Sequence, residues 1–170
     1  MGYVNLKDIC KQIAPSEILK SAGTWTPTVM GHLVTEVRTA AAAGFYLAIP
    51  ITLHAAHNAK QGAKLKSVDV WYKIATAAMA DIASVTVKKL TLSADGDAVA
   101  GADYAAISLD DGHDTAAERK VIEDHKMTVT FTNEPYLEDD ELLYILISCE
   151  GAATSAFSLL GAQANFELRL

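Results

Sequence analysis

Apolar and polar residues alternate with a period of two along most of this chain from Trp25 onward, the pattern of strands with one dry and one wet face. In "FYLAIPITL" the residues Phe45, Leu47, Ile49, Ile51 and Leu53 share a face. Pro50 lies on the other, where its missing N–H predicts an edge or bulged strand. In "KLKSVDVWYKI" the inward set is Val68, Val70, Tyr72 and Ile74, and Asp69, Trp71 and Lys73 point outward. "KMTVTFTN" sets Met127, Val129 and Phe131 against threonines, and "AQANFELRL" sets Ala164, Phe166, Leu168 and Leu170 against Gln163, Asn165, Glu167 and Arg169. One-sided patterning of this kind belongs to antiparallel sheets.

Two runs depart from the rule. "SVTVKKLTL" places Val85 and Val87 on one parity and Leu90 and Leu92 on the other, which predicts a β-bulge at Lys88-Lys89. "ELLYILISC" is apolar on both parities and reads as a central strand covered on both faces, on one of them by another subunit. Turn clusters separate the runs: "ADGDAVAGAD", "SLDDGHDTAAERKVIEDHKM" and "NEPYLEDDE". The spacing predicts an all-β fold, an antiparallel, jelly-roll-like β-sandwich of about eight or nine strands.

The start of the chain has a different period. Asn5 can cap a helix, and Leu6, Ile9, Cys10 and Ile13 then form one apolar stripe at i, i+3, i+4 and i+7. Pro15 ends the stripe, and a second short turn, "PSEILKSAG", runs out at Gly23. Residues 1–23 are therefore expected to be an amphipathic helical arm, and residues 24–170 a single sandwich domain. Isolated helices this short are marginal in water, so the arm must dock. Docking on a neighbouring copy makes Leu6, Ile9, Ile13, Ile18 and Leu19 the expected subunit contacts.

Composition narrows the function classes. The 170 residues carry a net charge of −7, which disfavours a nucleic-acid partner. Residues 1–75 are near +4 and residues 76–170 near −11, an asymmetry that lets opposite patches of two copies meet. No apolar run reaches the 18 residues of a membrane span, no secretory leader is visible, and Leu6 stands where N-myristoylation wants Ser or Thr. Cys10 and Cys149 lack metal spacing and read as two buried free thiols, with a single bridge between them as the alternative.

The stretch 108–127 holds six acidic residues and two histidines in twenty positions. Thr115 and Glu118 form a capping box, which predicts a surface helix over 115–125 with Ala117 and Val121 inward and Arg119 paired with Glu123 outside. Asp110, Asp111 and Asp114, with Asp95 and Asp97 in the preceding turn, are weak calcium candidates, since the EF-hand spacing is missing. His54 and His57 in "HAAH" supply two metal ligands, too few for a site. With His32, His113 and His125 they are expected to be ordinary exposed histidines. No nucleophile elbow, zinc-protease helix or phosphate loop occurs, and adjacent carboxylates such as Asp139 and Asp140 point to opposite faces of a strand. No enzyme and no cofactor is expected.

These readings converge on a structural subunit that assembles with copies of itself, set in a virion (a capsid, decoration or fibre-like protein, beside other particle proteins) or an extracellular filament. The alternative is a carbohydrate-binding sandwich. Trp71 lies on the outward parity of its strand, and Trp25, Tyr104 and Tyr136 lie in or near turns, so Trp71, Tyr104 and Tyr136 are the candidate sugar-stacking residues.

Overall fold

The structure, a computed structural model, describes residues 6–30, 33–52, 63–91, 95, 101–104, 107–136 and 141–169. In chain order the elements are β1 (Leu6–Ile13), a 3₁₀ turn (Pro15–Glu17), β2 (Leu19–Lys20), β3 (Trp25–Met30), β4 (Leu33–Arg38), β5 (Gly44–Ile51), β6 (Ala63–Ala75), β7 (Asp81–Thr91), β8 (Gly101–Asp103), β9 (Ile107–Leu109), the one-turn helix α1 (Ala116–Arg119), β10 (Asp124–Phe131), β11 (Glu141–Glu150) and β12 (Ala156–Arg169).

Two antiparallel sheets face each other. One runs β3-β4-β12-β6-β10-β9, with β1 also on β12, and the other runs β2-β5-β11-β7-β8. The chain crosses between sheets at nearly every connection from β4 to β12. This leaves β4, β12, β6 and β10 opposite β5, β11, β7 and β8, the wrapping of a jelly roll. The core lies between the sheets, and its inward residues are those the alternation marks: Phe45, Leu47, Ile49 and Ile51 of β5, Val68, Val70, Tyr72 and Ile74 of β6, and Met127, Val129 and Phe131 of β10. The twelve strands among the described residues exceed the eight or nine expected because β2, β8 and β9 are too short to show a period, and because the sequence pattern predicts a helix where β1 lies.

The N-terminal segment is a correction. Residues 6–13 are a strand, paired with β12 in unbroken register from Leu6↔Arg169 to Ile13↔Ala162. Strand parity turns Ile9 and Ile13 toward the core and Cys10 to solvent. A short helix has little stability of its own, whereas the open edge of the fourteen-residue β12 offers a row of backbone groups that need partners. Ile13 and Ile18 are buried in the chain's own core, which takes these two out of the expected subunit contacts; Ile9 is partly buried against that core, Leu19 is exposed, and the Leu6 side chain lies outside the described residues.

β11 is central in its sheet, between β5 and β7. Leu143, Ile145, Ile147 and Cys149 fill the core, and Leu142, Tyr144 and Leu146 on the other face are half-buried. The bulge in β7 is not at Lys88-Lys89, which pair regularly with Tyr144 and Leu143. It falls at Ala83, between the pairs Ser148↔Ser84 and Cys149↔Ile82. Pro50 faces Tyr144 on β11, and on its other side it lies beyond the two residues that β2 covers, an edge position as its missing N–H demands.

Cys10 and Cys149 are both free, and only Cys149 is buried. Burial pushes the Cys149 thiol up to about 12. Ellman's reagent at pH 8 is therefore expected to titrate Cys10 promptly and Cys149 only after denaturant is added; two fast thiols would contradict the packing of β11.

Candidate functional site

The outer face of the seven-stranded sheet carries the most organised polar surface among the described residues. Because Val68, Val70 and Tyr72 point inward, Ser67, Asp69 and Trp71 point outward, and the register aligns them with side chains of three other strands. Gln12 of β1 pairs with Gln163 of β12, Gln163 with Asp69 of β6, and Asp69 with Thr128 of β10. One step along, Cys10, Asn165, Ser67 and Thr130 form a parallel row. One step the other way, Gly161 and Lys126 flank Trp71.

A continuous hydrogen-bond network locks these side chains. Gln12 Nε2 donates to Gln163 Oε1, and Gln163 Nε2 donates to Asn165 Oδ1 at 2.6 Å. Asn165 Nδ2 donates to Ser67 Oγ at 3.0 Å and to Asp69 Oδ2 at 3.2 Å. Thr128 Oγ1 donates to Asp69 Oδ1 at 2.6 Å, and Lys126 Nζ lies 3.4 Å from Asp69 Oδ2. Asp69, only 6% exposed, is thus a hub whose donors come from β12 and β10. Side chains fixed this way keep their orientation at no further entropic cost when a ligand arrives.

Beside the network runs an open groove of about 510 Å³ lined by Gln12, Ile13, Trp71, Leu160, Gly161 and Gln163. Gly161 makes it. The register of β12 breaks between Leu159 and Gly161, and Gly161 takes φ +130°, where a Cβ would lie 2.8 Å from the Ile13 carbonyl oxygen. Only glycine allows the chain from β1 to pass this close to β12. Trp71, directly across the ladder, keeps a half-exposed ring with Lys126 Nζ 5.6 Å from its centroid.

The other aromatic candidates do not join Trp71. Tyr136 bridges Lys64 at the start of β6, roughly 20 Å away at the rise of about 3.3 Å per residue. Tyr104 packs edge-on against Phe131 and donates its hydroxyl to the Asn133 carbonyl. Trp25 lies edge-on to Phe45 and Phe157, with Nε1 donating to the Ala22 carbonyl. Gln163, Asn165 and Thr128 could have been found in the sequence as the wet parity of their runs. Gln12 could not, because a helical reading places it off any sheet.

The acidic stretch folds inward rather than outward. Thr115 and Glu118 make the expected capping box, but the helix is one turn, Ala117 and Val121 are exposed, and Arg119 is buried without pairing to Glu123. His113 and His125 are buried, correcting the expectation of exposed histidines. Asp110 Oδ1 lies 2.6 Å from His113 Nδ1, His113 Nε2 lies 3.1 Å from His125 Nδ1, and His125 Nε2 lies 3.0 Å from the Val121 carbonyl oxygen. This resembles a catalytic relay but ends on a carbonyl instead of a nucleophile.

Among the described residues no three His, Cys, Asp or Glu side chains are grouped to hold a metal. Asp110 is committed to His113 and to the amides of Gly112 and Thr128, and a hydrogen bond to Glu118 raises Asp114 above its ordinary range. Asp111 and Asp95 are exposed; Asp97, His54, His57, Asp139 and Asp140 lie outside the described residues. No described helix is long and apolar enough to cross a membrane.

No protein-family model matches the chain, and no curated protein matches it. Two solved structures align over 96% of this chain and 88% of their own. TmCBM61, in complex with β-1,4-galactotriose, has 11% identity and a TM-score of 0.37. The family 11 carbohydrate-binding module of the cellulosomal cellulase Lic26A-Cel5E of Clostridium thermocellum has 8% identity and a TM-score of 0.34.

Proposed function

We propose that this protein is a non-catalytic carbohydrate-binding sandwich that takes an extended glycan across the strands of its seven-stranded sheet. The observation that carries this reading is the single face on which Trp71, the groove over Gly161 and the ladder Gln12, Gln163, Asp69 and Thr128 lie side by side. An indole offers an apolar plane to the C–H face of a pyranose, and fixed amide and carboxylate groups suit its vicinal hydroxyls. The ladder crosses four strands, roughly 15 Å at about 4.8 Å per strand, which matches a stretch of about three sugar rings better than one terminal residue. Asp69 and Lys126 largely cancel, so the surface suits a neutral glycan.

Affinity electrophoresis against soluble neutral polysaccharides, followed by calorimetry with an oligosaccharide series, tests this. The parent is expected to be retarded, with affinity rising up to about three residues of chain length. Loss of an aromatic contact at the centre of a site costs about 2 kcal/mol, so Trp71→Ala is expected to bind roughly 30-fold more weakly, and Trp71→Tyr to retain most of the affinity. Absence of retardation across the panel, or a Trp71→Ala protein that binds as the parent does, removes the reading.

Association of copies is a second reading, favoured by one specific feature. Val29 and Val34 face each other across the β3–β4 hairpin at 71% and 59% exposure, and Leu19 is 60% exposed at the edge of the other sheet. Sedimentation equilibrium at high concentration separates the two, since a strict monomer eliminates the association. Nothing in the fold or the comparisons supports a virion setting.

A further inference from the structure

We infer that Asp110, His113 and His125 form a buried proton-binding site, in which the folded protein keeps one proton on the imidazole pair that two neutral histidines would not hold. The argument is a count. Three contacts lie in series, from the Asp110 carboxylate through His113 and His125 to the Val121 carbonyl, and each needs one hydrogen. Both ends of the chain are acceptors. Two neutral imidazoles bring only two hydrogens, so either the buried His113–His125 contact or one of the two partly buried end contacts would set two lone pairs against each other at about 3 Å, which is costly. A third hydrogen satisfies all three contacts.

The surroundings decide where it resides. Asp110 is not its holder. Burial alone would raise this carboxyl, but N–H donation from Thr128 at 2.6 Å, the contact with His113 and the Gly112 amide bring it below its ordinary value. His125 is pushed down, chiefly by burial, and Tyr72 of β6 stacks on its ring with centroids 4.4 Å apart. The extra proton therefore belongs on His113, beside the ionised Asp110. Of the other groups facing the pair, the Tyr72 hydroxyl donates to the Arg119 carbonyl and burial raises its pKa, and burial raises the Cys149 thiol of β11 to about 12. Arg119 is spent on carbonyls, and Glu123 is exposed, 3.7 Å from His125 Nδ1. Asp124, Asp114 and Glu118 lie at the rim, where Glu118 feels His113 and Asp124 feels His125. None of these can replace the missing hydrogen near neutral pH.

The sign of the pH effect follows. Unfolded, both histidines titrate near 6.5, so the unfolded pair holds two protons well below that pH and none well above it, while the folded pair holds one throughout. The lowered His125 contributes stability above about 6.5 that is lost as pH falls. The retained proton contributes stability below about 6.5 that is lost as pH rises. The unfolding equilibrium constant is then expected to be smallest near pH 6.5 and to rise about threefold over the first pH unit on either side, approaching about tenfold per unit beyond that. The site also touches the outer face, because the same Asp110 that faces His113 holds the Thr128 amide, and Thr128 Oγ1 holds Asp69. The inference does not depend on what that face binds.

Long-range ¹H–¹⁵N spectra of the ¹⁵N-labelled protein test it directly. Between pH 6 and 8 His113 is expected to show both ring nitrogens protonated and His125 only Nε2. Asp110→Asn, which removes the counter-charge, is expected to return His113 to the neutral form at pH 7. Two neutral rings in the parent at pH 7, or both titrating together near 6.5, would overturn the proposal. So would urea midpoints that change in one direction only from pH 5 to 8.

Discussion

Deletion of residues 1–22 is expected to abolish cooperative folding, not merely to free the sandwich from a partner. β1 contributes an eight-residue ladder to β12, and the segment also carries β2, Ile13 and Ile18. Truncating one buried isoleucine to alanine costs about 2–5 kcal/mol, and a domain of this kind has only about 5–15 kcal/mol in total. Removing both isoleucines with the ladder takes most or all of that reserve. The deletion also breaks the largely buried Lys20–Glu36 ion pair and leaves the edges of β12 and β5 open to aggregation. Circular dichroism melts and urea titrations provide the check. The single variant Ile18→Ala should lose about 2–5 kcal/mol with its transition intact, whereas the truncated chain should show none. A truncated chain that melts cooperatively within about 2 kcal/mol of the parent would refute the strand assignment of residues 6–13.

Arg119→Met is expected to be the most damaging conservative-volume substitution, at about 3–5 kcal/mol, or roughly 10–15 °C in Tm for a domain of this length. The bulge at Ala83 takes part of β7 out of register with β11, and Arg119 supplies donors there. Nε reaches the Ile82 carbonyl at 3.0 Å and Nη2 the Ala83 carbonyl at 3.2 Å. Nη1 meanwhile ties His113 and Asp114, at 2.9 and 3.1 Å. Methionine fills the space but leaves the buried Ile82 and His113 carbonyls, and the partly buried Ala83 and Asp114 carbonyls, without this donor. Arg119→Lys should recover less than half of the loss, because one ammonium cannot reproduce a planar fork directed at both a strand and a loop. A loss below about 1 kcal/mol in urea denaturation of Arg119→Met would mean that solvent, not Arg119, satisfies the bulge.

The same residue shows why the acidic stretch was hard to read from sequence. Helical periodicity puts Arg119 outside and Val121 inside, which holds only if the helix continues. α1 stops after one turn because β10 begins at Asp124, and the bulge on β7 then decides which side chain is drawn in. The histidines follow the same logic. His125 has the inward parity of Met127, Val129 and Phe131, so its burial was legible as a strand position, but its partner His113 and the carboxylate behind it were not.

Alternation by itself determined the all-β class, the inward faces of β5, β6, β10 and β12, and the outward position of Trp71, because a period of two leaves no other way to bury those residues. Tertiary structure alone decided the rest. The open edge of β12 turned a helical stripe into β1, and that pairing brought Gln12 alongside Gln163, Asp69 and Thr128. A glycine at positive φ then opened the groove beside Trp71. Local sequence records which way a side chain points, but its neighbours across the ladder are set by strand order, through hydrogen bonds between residues up to 151 positions apart.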